Sequence, residues 1–319
     1  MTLFFTCVLS LEFSSTTPDL SCDQHDASPE FNMTTEKVTV VDGVQRFPSN
    51  GIRVVVVGAG VAGLGAALEC WRKGCEVTVL ERADKLSVLG EQPLTFCFPK
   101  QLMCLGDYFT LPPSALVNMK YFPRMLEDYH SCVHDCTTSL WTPPGQLLFS
   151  RYPEWKRDNA THSAPGVNVS FLNLRSRWAK MQRDQLERLG VPILFAQGVT
   201  SVVETEDKVV VHTKPGDEYA CDVCMVANGI ATKLEGFETA GAAHVKDSGY
   251  AVARVAFPVG IIKKDSPAYD LVKDVDKHPD FRVYVGEDVH LILFLTSDYV
   301  AWVFTHKVRA QSLTKLVMN

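Results

Sequence analysis

The sequence lacks any uninterrupted apolar run of ~18 or more residues, so it offers no candidate transmembrane helix. It also lacks an excess of positive charge. Lys and Arg number 31 against 37 Asp and Glu, a net charge of −6, which removes the electrostatic case for a nucleic-acid partner. The apolar run Leu3 to Leu11 has no Lys or Arg before it and no clear small-residue cleavage site after it, so it departs from the pattern of a secretory signal. Residues 1–48 read instead as a disordered or weakly ordered extension rich in Ser, Thr and Asp, with Met33 as a more usual beginning. A cytoplasmic location is expected, secretion being the alternative. The Asn-x-Ser/Thr triplets at Asn32, Asn159 and Asn168 matter only on that alternative.

Cysteine is not scarce: there are 10. Cys70 and Cys75 flank the end of an expected helix, and Cys97 and Cys104 sit among Phe, Leu and Met, as buried free thiols do. A reduced, intracellular chain follows. Cys221 and Cys224 form a CxxC, but inside a run that reads as a strand entering a turn. His130, Cys132, His134 and Cys136 carry zinc-type side chains at a strict two-residue spacing that is not a usual zinc arrangement. Neither group is taken as a redox or metal site.

What is present is globular. The 319 residues, 46% apolar and 21% charged, suffice for two domains or one large one. The organising stretch runs from Arg53 to Arg82. Val54 to Val57 suit a strand buried on both faces and lead into Gly58, Gly60 and Gly63. A helix follows from Val61 to about Lys73, with Leu64, Ala67, Leu68 and Trp71 on one face and Gly74 as its stop. A second strand, Glu76 to Leu80, ends at Glu81.

This is strand, glycine turn, helix and strand with a terminal acid, the pattern of a dinucleotide-binding unit. In such a unit Gly58 allows the tight turn, Gly60 lets the backbone approach a pyrophosphate, and Gly63 lets helix and strand pack closely. The helix N-terminus offers free N–H groups to phosphate, and Glu81 takes the ribose hydroxyls. The spacing alone leaves NAD and FAD both open.

Further on, Ala83 to about Pro123 is mixed, with Gln101 to Gly106 as the end of a short helix. Trp141 to Gly166 holds four prolines and reads as a surface excursion, with Leu147 to Phe149 as part of a strand. A helix is expected from a cap at Asn173 to Leu189, with Trp178, Met181, Leu186 and Leu189 as its buried stripe and Gly190 as its terminator. Three strands then follow in VPILFAQGVTSVVE, DKVVVHTK and DEYACDVCMVANG, leaving Ala227, Asn228 and Gly229 at a strand end. Gly249 to Val308 is rich in aromatic and β-branched residues and suits antiparallel strands forming one wall of a pocket.

Together these stretches resemble the FAD-dependent aromatic monooxygenases, the salicylate-hydroxylase-like flavoproteins that in fungi often serve secondary metabolism. GAGVAGLGAALECWRKGCEVTVLER is similar to the family's N-terminal FAD unit, and LSVLG to the segment beside the cofactor, with Gly90 at the matching glycine. NLRSRWAKMQRDQLERLGV looks like the family's arginine-led helix, which places Arg175 near the flavin. DVCMVANGIATKL resembles the strand-turn in which the family has Ala-Asp-Gly-Ile, with Asn228 in place of the aspartate and Gly229 after it. DSGYAVARVAFP is similar to the first strand of the substrate domain, with Arg254 at the matching arginine.

The resemblance covers roughly Arg53 to His306 and departs from the family at Glu91 and Gln92, where small residues are usual. The family's second FAD contact, a Gly-Asp motif and a long helix after the substrate sheet, is not reached in this sequence.

The resemblance implies an α/β fold: a Rossmann-type FAD-binding unit over residues 49–240, with an irregular excursion at about 90–170, and a partial β-rich substrate domain over 241–319. It implies FAD as cofactor, NAD(P)H as reductant and hydroxylation of a small aromatic molecule with O2. Gly58, Gly60, Gly63, Glu81, Gly90, Arg175, Asn228 and Gly229 are the expected FAD contacts, and Arg254 the expected substrate arginine, a bidentate fork for a carboxylate or phenolate. Otherwise Arg175 is a solvated first-turn arginine and Arg254 a structural partner within the sheet. Two other functions stay open: another FAD or NAD(P) oxidoreductase on the same unit, and a non-catalytic dinucleotide-binding remnant. Oligomeric state is not readable.

Overall fold

The computed structural model describes residues 38–85, 108–109, 111, 116–132, 136–151, 173–229, 248–275 and 279–308. The chain begins with β1 (Thr39–Val41), β2 (Val44–Arg46), β3 (Arg53–Val57), α1 (Val61–Arg72) and β4 (Glu76–Leu80). Next come β5 (Tyr108–Phe109), α2 (Pro123–Cys132), β6 (Thr137–Trp141), β7 (Leu147–Arg151), β8 (Asn173–Leu174) and α3 (Arg175–Arg188). Five short strands follow: β9 (Ile193–Leu194), β10 (Val199–Glu204), β11 (Val209–Thr213), β12 (Glu218–Cys221) and β13 (Val223–Val226). The last four are β14 (Tyr250–Pro258), β15 (Asp280–Gly286), β16 (Val289–Leu295) and β17 (Tyr299–Lys307).

The valine run decides the first layer. β3 lies inside a four-stranded sheet of order β13-β3-β4-β9, whose pairings are all parallel. Alternate valines of β3 feed different cores, as the two-residue period of a strand requires. Val54 and Val56 pack with Leu64, Leu68 and Trp71 of α1 and with Trp178, Met181 and Leu186 of α3. Val55 and Val57 pack with Leu80, Val211 and Cys221, beneath the three-stranded sheet β10-β11-β12. A run of valines with no polar alternation is therefore the signature of a strand covered on both sides.

Both helices of this layer end in the same way. At α1 the amide of Gly74 (φ +92°) donates to Trp71 O at 3.0 Å and that of Cys75 to Cys70 O at 3.0 Å. At α3 Gly190 (φ +74°) donates to Glu187 O at 3.1 Å and Val191 to Leu186 O at 3.0 Å. This is the Schellman stop, in which a left-handed glycine lets the next residue fold back onto the last turn.

The second large layer is a six-stranded sheet of order β14-β17-β16-β15-β6-β7. Its pairings are antiparallel except for β15 with β6. Its register lines up Phe281, Phe294, Ala301 and Ala256 across four strands on one face, and these join Leu174 in a common core. On the other face Leu295, Val300 and Phe257 pack under Val272 and Val275.

Several local expectations shift. The helix beginning at Asn173 starts at Arg175: Asn173 and Leu174 pair instead with Phe109 and Tyr108, and Leu174 caps the helix without a side-chain bond. The run DEYACDVCMVANG is two strands in two sheets, divided at Asp222. There a carboxylate takes the Arg53 amide at 2.8 Å and the Arg53 guanidinium at 2.8 and 3.2 Å. Residues 39–46, inside the stretch read as a weakly ordered extension, form a hairpin turning at Asp42 and Gly43, both of positive φ. Its Asp42 carboxylate accepts from Arg188 (3.0 Å), Gln185 (3.1 Å) and Arg124 (3.2 Å), which ties the hairpin to α2 and α3. α2 itself left no clear sequence signal. The expected helix end at Gln101 to Gly106 lies outside the described residues.

Candidate dinucleotide-binding site

The site is built where β3 runs out. Gly58 takes φ +104°, the region open to glycine, and a side chain there would meet Ala227 O at 2.7 Å and Asn228 Cα at 2.9 Å. A Cβ on Gly63 would stand 1.9 Å from Gly58 O, which no rotation relieves because the obstacle is backbone. Gly60 is the opposite case: a Cβ there meets nothing within 4 Å. So two of the three glycines are required by packing, while the third leaves backbone uncovered and exposed.

That exposed glycine is the N-cap of α1, and the cap carries no side-chain hydrogen bond and no acidic residue in the first turn. The helix itself therefore supplies no side chain against the partial positive charge of its N-terminus and its first amides. Beside it, Glu81 accepts from the Ala59 amide at 2.8 Å through Oε2 and from the Ala83 amide at 3.0 Å through Oε1. One carboxylate thus braces the glycine turn from the end of β4. An open backbone cradle, a bare helix N-terminus and a fixed acid suit a pyrophosphate and its ribose.

Of the residues expected from sequence, the fold brings Gly58, Gly60, Gly63, Glu81 and Asn228 around one turn, with Gly229 (φ +88°) next in line. Gly90 lies outside the described residues. Arg175 opens α3, half-buried, directly after Leu174. Arg254 pairs across the ladder with Val303. Two residues from Ala256, it shares that residue's face of the six-stranded sheet, the face on which Leu174 is packed. Arg175 and Arg254 therefore belong to the same side of the sheet.

Sequence reasoning missed Arg177. Its guanidinium lies 5.5 Å from the Tyr299 ring centroid and 3.8 Å from an Asp298 carboxylate oxygen, so it links α3 to the β16–β17 turn. Its place two residues after Arg175 in an arginine-led helix was the available signal. A cleft of about 280 Å³, lined by residues including Ser139, Trp141, Asp274 and Arg282, lies on the sheet face opposite Arg254. It is therefore separate from the glycine turn.

Both cysteine groups include buried or half-buried thiols. Burial pushes the Cys224 thiol up to about 11, with Cys221 beside it adding to the rise, and pushes Cys136 up to about 12. Among the described residues no group of three or more His, Cys, Asp or Glu side chains could hold a metal ion. His134 falls outside them. No helix among the described residues is long and apolar enough to cross a membrane.

Comparison with known proteins bears on the same elements. The family model for FAD dependent oxidoreductases matches residues 53–90, and that for pyridine nucleotide-disulphide oxidoreductases matches residues 167–254. The chain is 26% identical to FAD-dependent monooxygenase fsr3 of Gibberella fujikuroi over 298 residues, 88% of this chain and 52% of that protein. The chain is similar to FAD-dependent monooxygenases. It resembles a second member, dmxR9 of Cryptosporiopsis, at 26% identity over 83% of this chain and 48% of that one. It therefore spans about half the length of the curated monooxygenases it matches. The fold agrees: the crystal structure of FqzB superposes with a TM-score of 0.65 at 19% identity, over 85% of this chain and 56% of that one.

Proposed function

We propose that this chain supplies the FAD-binding unit and one wall of the substrate site of an FAD-dependent monooxygenase. The reaction assigned is hydroxylation of a small aromatic or polyketide-like molecule with NAD(P)H and O2. The observation that carries the reading is the contrast within the glycine turn. Gly58 and Gly63 are sealed by backbone, whereas Gly60 is open beside the braced Glu81.

Bound FAD would supply the redox chemistry: it accepts hydride from the nicotinamide and activates oxygen. The chain's own residues bind and orient. The α1 N-terminus and the Gly60 backbone hold the pyrophosphate. Glu81 keeps one oxygen on the Ala59 amide and turns its remaining acceptor capacity to the ribose hydroxyls, so the acid both shapes the turn and reads the ligand. Asn228 and Gly229 present backbone at the strand end beside the turn, and Arg175, at the start of α3, is assigned to the flavin. Gly90 is assigned to the same cofactor, from the segment after β4. Arg254 offers two parallel N–H donors on a fixed positive charge to a substrate carboxylate or phenolate. The cofactor side is assigned to residues 49–240 and the substrate wall to residues 241–319, with β6 and β7 of the first stretch completing the six-stranded sheet of the second.

Reconstituting the purified chain with FAD tests the reading. A quenched, red-shifted flavin spectrum and saturable binding are expected, whereas a chain that stays colourless after reconstitution overturns it. Where substrate turnover is measurable, Arg254→Ala should lower kcat/KM by at least ~10-fold, the loss of one charge-assisted contact, with the flavin spectrum unchanged. Unaltered turnover would make Arg254 a packing residue.

A further inference from the structure

Cys70 and Cys75 occupy the two positions of the α1 stop that the Schellman backbone bond brings together. In the Schellman arrangement the third residue from the helix end and the second beyond it come into contact. At α3 those positions are Leu186 and Val191, both buried in one core. At α1 they are Cys70 and Cys75, which belong to that same core as free thiols.

The backbone limits their separation. The 3.0 Å bond from the Cys75 amide to the Cys70 carbonyl keeps the two Cα atoms within about 7.2 Å even if every bond were in line. The bends at the carbonyl and the amide shorten this into the ~4.4–6.8 Å range that disulfides span. The two sulfurs sit in a soft setting, with Cys70 Sγ 3.7 Å from Met225 Sδ and Cys75 Sγ accepting from Asn50 Nδ2 at 3.4 Å.

We propose that Cys70 and Cys75 are a vicinal redox pair that closes to a disulfide across the C-terminal cap of α1 when the chain meets hydrogen peroxide. One thiolate attacks a peroxide oxygen: an S–O bond forms, the O–O bond breaks, and the departing hydroxide leaves as water after protonation. The partner thiol then attacks that sulfur. The S–S bond forms, the S–O bond breaks and a second water leaves, so two thiols are oxidised and one peroxide is reduced to two waters. Burial, reinforced by Cys75 and Glu69, raises the Cys70 thiol above its ordinary range, so closure is slow at neutral pH and quickens as pH rises. The bridge would span Trp71 to Gly74 at the C-terminal end of α1 and leave the glycine turn at its other end untouched.

Peptide mapping tests this on the intact chain. After peroxide treatment, alkylation and tryptic cleavage, the expected product joins Val54–Arg72 to Gly74–Arg82, two hydrogens lighter than the separate peptides. It should be the dominant link in the folded chain, form faster at higher pH and lose its preference in urea. Recovery of both peptides singly alkylated while other cysteines link would overturn the proposal. So would a dominant link from either residue to Cys221 or Cys224. Cys70→Ser provides a second measurement: with no partner, Cys75 should accumulate sulfenic or sulfinic acid instead of a link.

Discussion

The parallel sheet and the six-stranded sheet are specified by opposite means. In the first, strand β3 has both faces covered and the turn after it has no room, so position is fixed by what cannot fit. In the second, most positions are half-exposed and the edge strand β7 leaves Leu147, Leu148 and Phe149 at 47%, 54% and 45% exposure. Its geometry rests on a ladder register and a few aligned side chains, Phe281, Phe294, Ala301 and Ala256. The unit expected to grip a cofactor is crowded, and the wall expected to face a substrate is open to variation.

The largest effect that would break this contrast is at Gly63. Gly63→Ala sets a methyl 1.9 Å from a backbone oxygen, so the chain should lose about 3 kcal/mol or more by urea unfolding, or fail to accumulate folded. A small loss would mean that the turn yields, and the steric account of the unit would go with it. Next is Glu81→Ala, which strips the acceptor from two amides. An FAD affinity lowered at least ~10-fold is expected by titration, in line with about 1.5–3 kcal/mol for a charge-assisted bond. Gly60→Ala separates folding from binding. Its stability should stay within ~0.5 kcal/mol of the parent because the methyl meets nothing, while FAD affinity drops because the pyrophosphate loses its approach.

On the other side of the comparison, Leu148→Ser on the exposed edge should shift stability by no more than ~0.5 kcal/mol. The smallest effect concerns acid. Arg53 holds Asp222 down at about 2, below its ordinary range, through a guanidinium pair and a backbone amide. A carboxylate depressed in the folded state contributes stability that is present above its unfolded pKa of ~3.9 and is lost as pH falls through the folded value. Asp222→Asn should therefore flatten the stability curve between about pH 4 and the folded value of about 2, giving up at neutral pH the contribution that the parent loses only in acid. Both side chains are over a third exposed, so the effect is small and diminishes with salt.

The same contrast explains what could be read in advance. β3, α1 and β4 were legible because valine runs, glycine stops and a 3.6-residue stripe are local signals. The end of α3 at Gly190 was legible for the same reason, but its start was not: Asn173 offers a cap by type, yet pairing with Phe109 draws it into a strand. The parallel contact of β6 with β15 joins residues 137–141 to 280–284, which no local pattern records. Within the candidate site, the close packing at Gly58 and Gly63 and the place of Glu81 at the end of β4 were legible in their spacing. Backbone contact between Gly58 and Asn228 was out of reach because it depends on which strand lands beside β3. The two arginines were read by likeness alone, and the fold adds only that they share one side of the sheet.

That contact at Gly58 sets a condition on how the chain acquires its site. β3 is joined on one side by β4, about twenty residues later, and on the other by β13, which is synthesised about 170 residues later. A nascent chain can close the first pairing early and cheaply, since short loops form fast and cost little entropy. Until Val223–Val226 emerge, however, one edge of the glycine turn has no neighbour. On the proposed reading, cofactor capture is tied to a late, non-local event in folding, so free FAD should accelerate the last kinetic phase of refolding and leave the earliest phase unchanged.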